Sequence, residues 1–96
     1  MPKGYWIARI SVSQPERYDE YKTLAGPAYK EFGAKFLVRG GNFAVSEGNA
    51  RERNVVIEFP TYQAALDCYN SAQYAKARAV RQAISVGELI VVEGAE

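Results

Sequence analysis

Residues 36–48, FLVRGGNFAVSEG, place Arg39 directly before two glycines and Glu47 directly before a third. A guanidinium grips a carboxylate or phosphate through two parallel hydrogen bonds, so Arg39 is a candidate anion clamp. A carboxylate held in a partly apolar pocket has its pKa raised toward neutrality, which makes Glu47 a candidate general base. Each residue also has a plainer reading: Arg39 as a solvated turn arginine, and Glu47 as its structural ion-pair partner. Asn42 either adds a hydrogen bond to a ligand or is simply a turn residue following glycine. Tyr74 and Arg78 are four apart, share a helix face, and with Arg39 would surround a small acidic ligand. Tyr21, Trp6 and Phe43 would shape the apolar wall.

Seven tyrosines in 96 residues is a high count, and Tyr18, Tyr21, Tyr69 and Tyr74 fall on segments expected to line one shared space. They serve there either as core residues with satisfied hydroxyls or as the lining of a ligand pocket. Lys76, Arg78 and Arg81 read as a solvated basic helix face. The chain has no histidine. That removes Ser-His and Cys-His catalysis, a histidine-ligated haem and most zinc sites, leaving carboxylates, tyrosines, arginines and lysines for any chemistry. The single cysteine, Cys68, reads as a small packing residue with no imidazole to activate it. Glu16, Asp19 and Glu20 read as an outward-facing first helical turn favoured by the helix dipole, not as a metal site. No cofactor is expected.

The elements that must position these residues follow from the pattern. Residues 5–12, YWIARISV, are rich in aromatic and β-branched types and read as a strand. Ser13 with Glu16 three residues on has the form of a capping box, Pro15 suits a first turn, and Tyr18, Tyr21, Leu24, Ala28 and Phe32 recur at helical spacing. Pro27 inside that helix predicts a kink or restart, and Gly33 predicts its C-terminal cap. Residues 35–39 and 43–47 read as two strand pieces, forming one bent strand or a small hairpin. Residues 53–59 form a strand stopped by Pro60. Thr61 and Ser71 are N-cap residues for two further helices, and 88–93 is the last strand.

The order strand, helix, bent strand, strand, helix pair, strand is that of one α+β domain: a ferredoxin-like split βαβ sandwich with helices on one face of an antiparallel sheet. Its strands, however, are apolar on both faces. Leu89 and Val91 oppose Ile90 and Val92; Val55, Ile57 and Phe59 oppose Val56; Tyr5 and Ile7 oppose Trp6, Ala8 and Ile10. A sheet with one wet face alternates apolar with polar. Each such side chain left in water forfeits about 1.5–3 kcal/mol, so a second copy of the chain packed on the free face is expected, giving a homodimer.

Charge and hydropathy narrow the partners. Twelve basic against eleven acidic residues, net +1, give no long-range attraction to nucleic acid or to an anionic membrane. RGGN is followed by more strand, so it presents no helix N-terminus to a phosphate. Nowhere do about 18 apolar residues run together, and the cytoplasm is the expected location.

The ordered set YWIARISV, PERYDEY, FGAKFLVRGG, SEG, NVVIEFPTYQAALDCYNSAQYAKAR and VVEG resembles the bacterial family called domain of unknown function 1330 over nearly the whole chain. The resemblance implies a ferredoxin-like protomer of the dimeric α/β-barrel superfamily. It implies no particular reaction, although relatives on the same fold include cofactor-free monooxygenases, lactone isomerases and haem proteins. The expectation is a homodimer that binds a small organic acid between sheet and helices. If it is an enzyme, the chemistry is cofactor-free proton transfer or monooxygenase-like. The competing expectation is a non-catalytic interaction module in which Arg39 and Glu47 only pair with each other.

Overall fold

The computed structural model describes residues 2–95. The elements run β1 (Gly4–Val12), α1 (Pro15–Phe32), β2 (Lys35–Arg39), β3 (Arg53–Phe59), α2 (Tyr62–Tyr69), α3 (Ala72–Ile84) and β4 (Ser85–Glu93). The four strands form one sheet in the order β2-β3-β1-β4, with each of the three pairings antiparallel. The helices cover one face, giving the α+β ferredoxin-like sandwich that the element order predicts.

Local chemistry explains most boundaries. Thr61 and Ser71 accept backbone N–H bonds from Ala64 and Tyr74 and so start α2 and α3. Gly33, at φ 74°, closes α1 in the left-handed conformation that glycine adopts without a Cβ penalty. Two expectations for α1 change. Ser13 does not cap it: its hydroxyl and its backbone N–H both donate to the Ile84 carbonyl, tying the start of α1 to the end of α3, and Gln14 is the N-cap residue. The helix also continues through Pro27 without a restart. Gly26 supplies part of the reason, because it carries no Cβ for the following proline ring to press against.

Between β2 and β3 the expected strand at 43–47 is absent; residues 41–52 form an irregular loop in which Phe43 and Val45 are exposed. Propensity alone favoured a strand there, but the segment pairs with no strand of the sheet, and the outer edge of β2 stays free of it. The last strand begins earlier than its apolar run suggests, at Ser85 directly after α3, because β1 pairs with it from Val12 down to Gly4.

The helix-facing side of the sheet carries the core: Trp6, Ala8 and Ile10 from β1, Val55, Ile57 and Phe59 from β3, and the partly buried Leu89 and Val91 from β4. Trp6 is its centre. Its ring meets Tyr29, Phe59, Tyr69 and Tyr74 at centroid distances of 4.9–5.8 Å, and its indole N–H donates to the Ala65 carbonyl at 2.9 Å. That bond removes the cost of burying a donor.

The opposite face is uncovered. Register places Val38, Val56, Ile7 and Ile90 side by side, one from each strand, in a single apolar row. Val38, Ile7 and Ile90 are 42%, 38% and 54% exposed, and Val92 and Val86 of β4 lie exposed on the same face.

Candidate functional site

β2 is where sequence and geometry meet. Phe36 pairs with Ile57 and Arg39 with Val55, both core-facing residues, although 36 and 39 would point to opposite faces of a regular strand. The register shift between Phe36 and Val38 inserts Leu37 as an extra residue and turns both side chains to the helix side. Arg39 then lies over the Phe36 ring, 4.2 Å from its centroid. The bend that aims Arg39 is thus a bulge at Leu37, not the glycine pair that follows. Gly40 has a different task. Its φ of 69° is left-handed, and a Cβ there would stand 2.6 Å from the Arg53 guanidinium, so the glycine lets Arg53 pack against the backbone.

Arg53, paired with Ile10, also faces the helices; its Nε donates to the Tyr18 hydroxyl at 3.0 Å and its guanidinium lies 4.7 Å from the Tyr18 ring centroid. These residues rim a cavity between the sheet and α1 and α3. It leaves about 80 Å³, and its walls include Trp6, Tyr18, Tyr21, Tyr29 and Phe36. One water-sized group needs roughly 10–15 Å³ of such space, so it suits a ligand core about as large as one six-membered ring.

Arg81 projects into the same cavity from α3 and is 7% exposed, yet its Nε has no hydrogen-bond partner among the described residues. Burial lowers the pKa of this guanidinium and the Tyr74 hydroxyl beside it raises it, with a net upward direction, so the charge is retained. The cavity thus receives Lys22, Arg39, Arg53 and Arg81 and no described carboxylate. Lys22 is paired outside it with Asp19 at 3.1 Å. No described carboxylate stands within ion-pair distance of the three arginines.

The Tyr21 hydroxyl lies 2.8 Å from both the Tyr29 and Tyr74 hydroxyls. Burial pushes the pKa of all three upward, so they are neutral donors at ordinary pH and not bases. Three O–H groups sharing two contacts leave one hydrogen over in every arrangement, available to an acceptor outside the trio.

The residues singled out by sequence divide. Arg39 and Tyr21 line the cavity, and Tyr74 supports it through Tyr21. Arg78 does not enter: it donates to the Tyr69 carbonyl at 3.0 Å and stacks on that ring, closing the end of α2. Asn42, Phe43 and Glu47 lie exposed in the 41–52 loop, outside the cavity lining, and no Arg39–Glu47 ion pair forms. Arg81, read from sequence as part of a solvated face, is the buried cation. The signal was present: Tyr74, Ala77, Arg81 and Ile84 form the buried stripe of α3, so an arginine stands on an apolar face. Spacing of four from Tyr74 selects Arg78; spacing of seven selects Arg81.

Cys68 is fully buried, its thiol 3.8 Å from the Ala28 carbonyl, and burial pushes its pKa up to about 12, as befits a packing residue. Among the described residues no group of three or more Cys, Asp or Glu side chains converges as a metal site would need, and no helix is long and apolar enough to cross a membrane.

Known proteins share this architecture. A protein of unknown function from Rhodopseudomonas palustris superposes with a TM-score of 0.78 at 18% identity, over 99% of this chain and 84% of that one. SnoaB, a cofactor-independent oxygenase from Streptomyces nogalater, gives 0.68 at 11% identity over 100% and 96%. A dimeric ferredoxin-like protein of unknown function from Thermobifida fusca gives 0.62 at 14% identity over 99% and 92%. At these identities the likeness establishes the fold alone. No curated protein matches the chain. The model of one family does match, over residues 3–95, and the chain belongs to that family, described as a domain of unknown function (DUF1330).

Proposed function

We propose that this protein binds a small organic acid in the cavity between the sheet and α1 and α3, with Arg81 as the buried anion anchor. The observation that carries this reading is the unpartnered Arg81 Nε in a cavity that collects cations and no carboxylate. An unsatisfied buried donor costs about 1–3 kcal/mol, more when charged, and an anionic ligand relieves that cost. Arg39 and Arg53 hold the mouth, and the aromatic walls supply apolar contact. Calorimetric titration with benzoate tests the reading: binding by the wild-type protein that Arg81→Gln abolishes supports it, and absence of heat up to millimolar benzoate overturns it.

The same inventory bears on catalysis. The cavity offers cations and phenolic donors but no carboxylate, so it stabilises an oxyanion and has no side chain suited to creating one by proton abstraction. Turnover, where it occurs, starts from a ligand already ionised. This favours oxygenase-like chemistry on an electron-rich anion over proton transfer to Glu47, and the shared fold with the oxygenase SnoaB is in keeping with it.

The working unit in this reading is a homodimer closed through the outer face of the sheet. Its support is the apolar row Val38, Val56, Ile7 and Ile90, which a two-fold partner with the same row would cover.

A further inference from the structure

We propose that the preferred ligand is a single-ring aromatic diacid that spans the cavity, with one acid group on Arg81 and the other on Arg39 and Arg53. The inference rests on the reading of the cavity as an acid-binding site and adds the ligand class. The unneutralised cations stand in two separate places. Arg81 enters from α3 on the β4 side, where it and Leu89 form a common wall between the main cavity and a second, polar recess over Ser85, Val86 and Gly87. Arg39 and Arg53 sit on the other side, on β2 and β3, and neighbouring register positions Val55 and Ile10 fix them together. β2 and β4 are the two edges of the sheet, about 14 Å apart, and the cavity lining runs from Phe36 and Arg39 on one to Leu89, beside Arg81, on the other, so the two groups of cations stand toward opposite ends of a space that suits one ring with a substituent at each end.

The two anchors differ in preparation. Arg39 and Arg53 are stacked on Phe36 and Tyr18, and Arg53 spends its Nε on the Tyr18 hydroxyl, which fixes their planes and leaves the terminal guanidinium nitrogens for a ligand. Arg81 is buried with an unused Nε donor. A monoacid satisfies one end and leaves the other cationic; a diacid with groups on opposite ring positions satisfies both. The rings of Trp6, Tyr18, Tyr21, Tyr29 and Phe36 favour a flat, aromatic spacer over a flexible chain.

Terephthalate and para-toluate test this, because they share one ring and differ only in carrying a second carboxylate or a methyl group. At fixed ionic strength, terephthalate is expected to bind the wild-type protein at least about tenfold more tightly than para-toluate, the value of one added charge-assisted contact. Arg39→Gln and Arg53→Gln are expected to shrink that ratio toward one, lowering terephthalate affinity much more than para-toluate affinity. Arg81→Gln weakens both ligands, and the exposed Arg39 variant decides the matter should the Arg81 variant fail to fold. A wild-type ratio near one, or a ratio indifferent to Arg39 and Arg53, overturns the diacid proposal while acid binding itself stands. Failure of both ligands to bind overturns both.

Discussion

The Tyr21 hydroxyl lies 2.8 Å from the Tyr74 hydroxyl, joining α1 to α3 across the floor of the cavity. Tyr21 also meets Tyr29 at the same distance, so one oxygen holds two bonds. Tyr74→Phe removes one of them and is expected to cost about 1 kcal/mol of unfolding free energy, while Tyr21→Phe, which breaks both, costs about twice that. Equilibrium urea denaturation measures the two, and equal losses would show that the Tyr29 contact contributes nothing.

The same trio makes the fold sensitive to alkali. Burial raises the pKa of Tyr21, Tyr29 and Tyr74 in the folded state above the unfolded tyrosine value. Below pH ~10 both states are protonated and folding is unaffected; above it the unfolded chain loses protons that the folded chain keeps, so stability falls as pH rises toward the folded values. Each such group contributes a slope of up to about 1.4 kcal/mol per pH unit. Tyrosinate absorbance from these rings should appear together with loss of the near-ultraviolet circular dichroism. Ionisation of all seven tyrosines with the fold intact contradicts this.

Arg81 should behave as a residue kept against the interest of stability. Arg81→Met replaces a buried guanidinium with an unused donor by an apolar chain of similar length, and the unliganded protein is expected to gain on the order of 1 kcal/mol while losing benzoate binding. Thermal unfolding with and without benzoate reads both effects. A less stable variant would mean that Arg81 has a structural partner after all.

The outer face gives a prediction about mass. Ile90 stands in the four-strand apolar row, 54% exposed in the single chain. The wild-type protein should sediment as a dimer at micromolar concentration, and Ile90→Lys, which places a charge in that row, should yield a folded monomer. A wild-type mass of one chain rules out closure through this face.

The order of elements along the chain and the helix positions were legible because they depend on local chemistry: Thr61 and Ser71 as caps, Gly33 as terminator, and the alternation of Val55, Ile57 and Phe59. The apolar second face was legible for the same reason. Residues 43–47 were misread because β-propensity does not decide whether a segment pairs with a sheet edge, and here it leaves the outer edge of β2 free. Arg39 was found from its glycine neighbours, yet its aim depends on a bulge at Leu37 that only pairing with β3 reveals. Arg81 was missed because charge outweighed its place on the Tyr74, Ala77 and Ile84 stripe. Glu47 looked like the chemical complement of Arg39 and is not, because it lies exposed in the 41–52 loop and forms no ion pair with it.

The sheet order also bears on how the protein is made. β1 occupies an inner position, yet both of its neighbours, β3 and β4, follow it in the chain, and its pairing with β4 joins Gly4 to Glu93. On a ribosome β1 is synthesised well before either neighbour, with its apolar side chains and unpaired backbone edges in water. Closing such long-range pairs carries a loop entropy that slows folding, and the waiting strand is exposed to misassociation. α1, whose hydrogen bonds are local, can form as soon as it is made, and its Tyr29 is the α1 ring that Trp6 of β1 meets in the finished fold.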